Sequence, residues 1–490
     1  MRFAQKAVDK TATTNYEDAP AFSLSPKLAL YSAVCTASLE PKFYTSQGPE
    51  EIENLCENVP DEFIAKLAIY AREQMYLRSV PIVLAVTLAK QGSKFTATVA
   101  ERIIQRADEL VEIMSYYAQS NGRNDLKKLS KGLKLGVSRA FNKFDEYQFA
   151  KYNRDTEIKL RDVMFVTHPK PKPGQKRLFK KIADDTLEIP YTWETQLSKG
   201  GDKKKTWEEL IKSKKLGYMA LLRNLRNMLQ ADISDKAWDM ALSYLMDPEA
   251  IKKSKQLPFR FFSAYKEISE TAEFGSQKVL EALDAAMIAS VENLKGFDSN
   301  TRALIACDTS GSMNTSLSER SKIQYVDIGL VLGMMLHFKC KKVLTGIFGE
   351  DWAVFNTPKD NILQNTDKFS GLVGEVGHAT NGWKILAWAI EERKVFDKFF
   401  FFTDCQWWDS LGGHYGADAI VQEYWLQYKA EVNPDARAYY FDVAGYGDTP
   451  LRMTGGDVAF ISGWSDKVFA VLDTIEQGGD ALQLIDEIKL

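Results

Sequence analysis

Cysteine is scarce in this chain of 490 residues, and its spacing suggests no pairing. The five cysteines, Cys35, Cys56, Cys307, Cys340 and Cys405, are odd in number and form no CxxC, which argues against a disulfide framework or a structural zinc site. Met1 to Pro20 lacks an apolar core of signal-peptide type. No stretch approaches the roughly 20 apolar residues that a membrane helix needs. A reducing cytoplasm, with no membrane partner, is the expected compartment. An excess of one charge sign is lacking as well: the net charge is −3, so the overall balance names no partner and only the distribution can. HExxH, GxSxG, P-loop and zinc-deaminase signatures are all missing, and with them the sequence support for those catalytic classes.

What is present is ordinary soluble globular material, 45% hydrophobic and 26% charged, long enough for two or three domains. Residues up to about Leu294 read as helical. Asp61 caps a run whose apolar positions Phe63, Ile64, Leu67, Ala68 and Ala71 follow the 3.6-residue period. Pro81 opens the next run, Ile82 to Leu88, and Gly92 closes it. Further helical runs span Val99 to Ala118, Tyr218 to Leu229, Asp235 to Leu245 and Gln277 to Leu294. Helix pairs in series suggest a HEAT-like solenoid, although no clean sequence repeat is seen. Beyond Gly296-Phe-Asp-Ser-Asn300 short apolar runs alternate with helices. Ala303 to Cys307, Val343 to Phe348, Phe399 to Thr403, Ala438 to Val443 and Val458 to Ile461 read as strands. Ile323 to Phe338 and Trp383 to Glu392 read as helices between them. That alternation implies a parallel sheet covered on both faces, with a domain boundary near Asn300.

Charge is unevenly spread. Asn121 to Lys215 holds 24 Lys plus Arg against 13 Asp plus Glu, an excess of 11 in a slightly acidic chain. It includes His168-Pro-Lys-Pro-Lys-Pro173 and Lys203-Lys-Lys205, the latter read as a solvated loop. Lys and Arg contacts to phosphate supply most of the affinity for RNA, and a folded RNA is read largely by shape. Tyr147, Tyr152 and Phe179 could stack on bases or fill helix cores. Arg223 and Arg226, three apart on one helix face, could meet RNA or pair with acidic neighbours.

The apolar run Ala303 to Cys307 ends in Asp308-Thr-Ser-Gly-Ser312. In an open parallel sheet ligands sit outside the carboxyl ends of strands. One carboxylate and two hydroxyls are hard oxygen donors suited to Mg²⁺. Thr380, in His378-Ala-Thr-Asn381, and Asp404, directly after Phe399-Phe-Phe-Phe-Thr403, lie at the ends of later runs. The order DxSxS, then Thr, then Asp resembles the metal-ion-dependent adhesion site (MIDAS) of von Willebrand factor A domains. That resemblance implies a Mg²⁺ or Mn²⁺ ion held by Asp308, Ser310, Ser312, Thr380 and Asp404, completed by an acidic group of a partner. Asn381 stands where many A domains have aspartate, and His378-Ala379 replaces a Gly-Gly. A serine-rich turn with Asp308 as a helix cap is the plain alternative. The insert Trp407 to Tyr424 has no sequence reading.

The helical part carries Ala150-Lys-Tyr152, Leu160-Arg-Asp-Val163, His168-Pro169, Trp207-Glu-Glu-Leu210, Tyr218-Met-Ala-Leu-Leu-Arg-Asn-Leu-Arg-Asn227 and Leu257-Pro-Phe-Arg-Phe261. With these the chain resembles the Ro autoantigen family, in a bacterial or phage form, from about Asn15 to the C-terminus. Its helical part is the TROVE module of telomerase-associated, Ro and vault proteins. The resemblance implies an α plus α/β fold. A ring-like HEAT-type helical RNA-binding domain would span residues 1–299, and a doubly wound von Willebrand A domain residues 300–490. It implies a non-enzymatic ribonucleoprotein that binds Y-like noncoding RNA on a basic surface and the single-stranded 3′ ends of misfolded RNA in the ring, for RNA quality control or degradation. An exoribonuclease, or another protein with an acidic metal-ligating residue, is the implied protein partner. Family RNA residues match Lys151, His168 and, one position out of register, Arg154. Lys134, Arg139, Lys170 and Lys172 of the same basic segment are further candidate RNA contacts. Two other readings remain: a metal-dependent nuclease or phosphatase, and a protein-interaction module without RNA.

Overall fold

A computed structural model describes residues 12–15, 19–37, 44, 48–122, 126–153, 156–271, 273, 275–292, 294–318, 321–408, 420–453 and 456–490. It divides into two compact units. An α/β unit takes Met1–Ala37, Leu257–Lys266 and Met287–Ala481, and a helical unit takes Ser38–Gln256, Glu267–Ala286 and Leu482–Leu490. A single cut near Asn300 therefore does not describe the units. The C-terminal tail belongs with the helices because the Asp486 carbonyl accepts from Lys66 and the Lys489 carbonyl from Arg102. No helix among the described residues is long and apolar enough to cross a membrane.

In the helical unit the apolar period sets how deeply each helix is buried. Ser79–Lys90 carries apolar residues on every face and is buried from Val80 to Ala89. The expected single run Val99 to Ala118 is two helices, Thr96–Ile103 and Glu109–Gln119. Glu109 makes the break: its buried carboxylate accepts from the Gln105 and Arg106 N–H groups at 2.8 and 3.1 Å, turning the chain. The same carboxylate takes a bidentate pair from buried Arg72 at 2.7 and 3.0 Å, so the charge is satisfied inside the unit. Thr96–Ile103 packs on Lys131–Ala140 at the closest backbone approach, where a Cβ on Gly136 would lie 2.5 Å from the Ala97 carbonyl. Lys203 to Lys205 is not a loop. It forms the first turn of helix Lys203–Lys212, which Asp202 caps through the Lys205 N–H.

The N-terminal stretch, expected to be helical, begins with strands β1 (Ala12–Thr14) and β2 (Pro20–Ser23). Asn15, directly after β1, accepts on its side chain from the Ala19 N–H at 3.0 Å. In the α/β unit the strands fall where the apolar runs predict them: β3 (Arg302–Asp308), β4 (Lys342–Phe348), β6 (Lys398–Thr403), β7 (Arg437–Asp442) and β9 (Val458–Ser462). Two short strands escape the pattern: β5 (Trp352–Phe355), antiparallel at the edge, and β8 (Asp448–Thr449), paired with β2. Sheet order is β5-β4-β3-β6-β7-β9, parallel except for β5. The chain leaves β3 toward β4 and returns on its other side as β6. The β3–β6 boundary is thus the switch point where a ligand crevice opens at the strand ends.

Candidate metal cleft and basic surface

Asp308 is the last residue of β3 and Asp404 follows the last residue of β6, so the parallel register brings both carboxylates to the switch point. Both are buried, as are Ser310 and Thr380, and Ser312 is half-buried. The Asp308 carboxylate accepts from the Ser310 N–H at 2.9 Å and from the Thr403 hydroxyl at 2.5 Å. The Ser310 and Ser312 hydroxyls stand 3.3 Å apart. The Thr380 loop is tied to this turn by the Gly311 N–H, which donates to the His378 carbonyl at 2.9 Å. Ser312, Thr380, His378, Gln406, Trp408 and Tyr446 all line one cavity of about 600 Å³. Of the five residues expected from sequence, Ser312 and Thr380 line this cavity, while Asp308 and Ser310 lie on the adjoining turn and Asp404 just past the end of the neighbouring strand β6.

The electrostatics show what such a cleft demands. Burial, reinforced by the charge of Asp404, pushes the Asp308 carboxyl well above the usual carboxylate range. Burial also lifts Asp404, against the lowering pull of the nearby Ser312 hydroxyl and the Gln406 N–H. Asp404 Oδ1 accepts from Gln406 N–H at 3.0 Å, but Oδ2 is buried with no hydrogen-bond partner among the described residues. A buried carboxylate oxygen left unsatisfied costs free energy unless a cation or donor meets it. Two lifted carboxyls, an unsatisfied oxygen and neighbouring hydroxyls fit a hard divalent ion.

Sequence reading missed the residues that support this cleft. Thr403 also accepts from the Cys405 N–H at 3.1 Å and the Trp407 indole N–H at 3.0 Å. Trp407, at the start of the unread insert, is buried among Phe348, Phe401 and Tyr440. It packs so close to the chain that a Cβ on Gly382 would lie 2.4 Å from its ring. Most of the insert, residues 409–419, lies outside the described residues.

The basic candidates are more dispersed. Lys134 is half-buried on helix Lys131–Ala140, and Arg139 on the same helix pairs with Glu101 at 3.5 Å. Lys151, in the last turn of Glu146–Tyr152, lies 5.6 Å from the Tyr152 ring centroid, whose ring Arg106 also covers at 4.4 Å. Arg154 lies outside the described residues. His168 is exposed and caps helix Leu160–Thr167 in the left-handed region, φ 48°. The Lys-Pro-Lys-Pro loop after it is fixed by Asn142, whose amide donates to the Lys170 carbonyl at 3.0 Å and accepts from the Lys172 N–H at 3.1 Å. The loop leads into helix Lys176–Ala183, which buries Phe179 and Ile182 and turns Lys176, Arg177 and Lys180 to solvent. Lys170, Lys172, Lys176, Arg177 and Lys180 form no ion pair among the described residues. The signal for the last three was in the sequence: in Lys176-Arg-Leu-Phe-Lys-Lys-Ile182 the apolar Phe179 and Ile182 stand three apart, which turns Lys176, Arg177 and Lys180 to the outer face. Phe179 is core, and Arg226 pairs with Glu267 at 2.9 Å.

A family model described as TROVE domain matches residues 45–186 and 185–325, more than half of the chain. The chain belongs to the TROVE family. Telomerase protein component 1 of Mus musculus is 26% identical over 334 residues, 50% of this chain and 13% of that protein. The Rattus norvegicus protein of the same name is 27% identical over 329 residues, 49% of this chain and 12% of that protein. The chain thus spans about one eighth of the length of these curated relatives. The crystal structure of the Deinococcus radiodurans Ro (RSR) protein covers 95% of this chain and 100% of its own, with a TM-score of 0.56 at 15% identity, a likeness of fold. The TROVE match includes the loop and helix from His168 to Ala183 and runs on through the Asp308 to Ser312 turn.

Proposed function

We propose that this TROVE protein is a cytoplasmic RNA-binding scaffold of Ro type. It takes small structured, Y-like RNA on the basic surface of the helical unit, and single-stranded 3′ ends of misfolded RNA, in RNA quality control or degradation. The observation that carries this reading is the group of exposed cations Lys170, Lys172, Lys176, Arg177 and Lys180 inside the matched module, which form no ion pair among the described residues. Unpaired cations on a fixed loop and helix can meet phosphate without first giving up an internal partner. Lys151 and His168 precede the group in sequence, and the telomerase naming of the relatives adds support from a ribonucleoprotein context.

In the α/β unit, Asp308, Ser310, Ser312, Thr380 and Asp404 would hold one Mg²⁺ or Mn²⁺. When bound, the ion would offer a coordination position to an acidic side chain of a protein partner, such as an exoribonuclease. Donor chemistry favours binding over hydrolysis: two-metal hydrolysis uses clustered carboxylates, whereas this cleft offers two carboxylates among hydroxyls. The test is to sequence the RNA that co-purifies with the full chain, then measure binding of a structured RNA with a free 3′ tail against a blunt duplex. Enrichment of structured RNA and tighter binding of the tailed form are expected. Equal, weak binding of both, with no RNA on the purified protein at low salt, would leave a protein-interaction module in its place.

A further inference from the structure

A second cavity, of about 680 Å³, lies in the helical unit among helices Lys203–Lys212, Tyr218–Gln230 and Asp235–Leu245. That volume is in the range of pockets that enclose small organic ligands. Its apolar lining includes Leu216 and Met240, and Tyr244 at its edge is 39% exposed. The charges around it are not equally available. Asp239 is engaged by Lys278 at 2.7 Å, and one oxygen of Asp247 caps helix Pro248–Ser254 through the Glu249 and Ala250 N–H groups. Lys214 and Lys236, by contrast, are exposed and make no ion pair among the described residues. Lys214 sits in the left-handed region, φ 54°, its N–H donating to the Ile211 carbonyl, so its backbone is fixed beside the cavity. Two cations without an ion pair among the described residues therefore stand beside an apolar pocket with a half-open aromatic ring, and one Asp247 oxygen remains to accept from a ligand.

We infer that this cavity binds a nucleoside monophosphate unit, with its base against Tyr244 and Met240 and its phosphate on Lys214 and Lys236. An aromatic ring next to unpaired cations is the pairing that takes a base and its phosphate together, and stacking tolerates any base. The thioether of Met240 adapts to a flat ring. Asp247 and Ser243, which also line the cavity, can accept from the exocyclic amine of a base. The unit could come as a free nucleotide or as one residue of a single strand. This inference stands on a different surface from the Lys170 to Lys180 group and does not depend on it.

The test titrates the full chain with AMP, with inorganic phosphate and with the oligonucleotide r(A)6. Saturable AMP binding, weakened about tenfold by Tyr244→Ala, is expected from the loss of one stacked base. Tyr244→Phe should restore it, and Lys214→Gln with Lys236→Gln should also weaken it about tenfold. Tyr244→Leu keeps apolar bulk if the alanine variant fails to fold. Tighter, variant-sensitive binding of r(A)6 assigns the unit to a strand, and equal binding assigns it to a free nucleotide. Phosphate binding as tightly as AMP would overturn the inference, because no base would then be recognised. So would an affinity for AMP and r(A)6 that none of the variants changes. The Lys176→Glu, Arg177→Glu and Lys180→Glu variant serves as control and should bind AMP like the parent.

Discussion

In the helical unit Lys170, Lys172, Lys176, Arg177 and Lys180 are exposed and form no ion pair among the described residues, whereas in the α/β unit Asp308, Asp404 and Asp442 are each 1% exposed or less. The two arrangements answer to different variables. Exposed charges feel their partners through solvent and counterions, so salt governs them. Buried charges pay desolvation in every state, so protons and bound ions govern them. On the function proposed above, the first region would meet a long polyanion and the second would take one small cation, or a proton in its place.

The comparison breaks most severely at Asp308. Asp308→Ala should abolish Mn²⁺ binding, read by calorimetry, while RNA affinity of the full chain stays within about twofold of the parent. Its metal-free form should stay folded, because the acceptor lost to the Ser310 N–H and the Thr403 hydroxyl is offset by relief of the repulsion between Asp308 and Asp404. A variant that retains Mn²⁺ affinity would dissolve the cleft assignment. Next in size, Trp407→Phe removes the indole N–H that orients Thr403 on Asp308. Loss of such supporting contacts typically costs about tenfold or more in metal affinity, and about tenfold is expected here. Unchanged Mn²⁺ affinity would show that Thr403 needs no second donor.

A pH dependence sharpens the contrast. His337 is buried in helix Tyr325–Lys339, between the Thr345 hydroxyl at 2.8 Å and the Thr357 carbonyl at 3.1 Å. Burial pushes it down to about 4 from an ordinary value of 6.5, so the fold binds it neutral. The unfolded chain takes up a proton first as pH falls, so this contribution is complete above about 6.5 and is lost as pH falls toward 4. The loss is about 3 kcal/mol at most. Chemical unfolding of the parent and of His337→Gln should therefore diverge at neutral pH and converge near pH 4. Parallel curves would mean that the imidazole titrates normally. The smallest effect is expected at Arg226. Its half-exposed pair with Glu267 is worth at most about 0.5 kcal/mol, so Arg226→Ala should change neither stability nor RNA affinity measurably. A large drop in RNA affinity would move the interface onto that helix.

The five major parallel strands were legible because each is a short, predominantly apolar run, as a parallel sheet buried on both faces favours. The positions of Asp308 and Asp404 followed from strand ends, whereas Thr380 lies in the loop before helix Trp383–Glu391 and not at the end of a strand. The strands β1, β2, β5 and β8 were not legible, since two to four residues carry no period and their pairing depends on distant partners. Nor was the break at Gln105, which rests on a buried carboxylate reaching back to the chain and not on any glycine or proline. Thr403 was hidden because its bond to Asp308 joins strands far apart in sequence, and Trp407 because its bond to Thr403, four residues away, matters only through that contact. The unpaired state of Lys176 to Lys180 also needed the structure, because a run of cations reads the same whether or not carboxylates face it.

The account rests most on the exposed group, and salt tests it most directly. A 3′-tailed structured RNA should be titrated by fluorescence anisotropy, across a range of salt, against the parent and the variant Lys176→Glu, Arg177→Glu and Lys180→Glu. At about 0.7 in log–log slope per phosphate contact, loss of three contacts should flatten the salt dependence by about 2 and lower affinity at low salt by about a hundredfold. Equal slopes and equal affinities for parent and variant would contradict the account, and would show that this surface does not bind RNA.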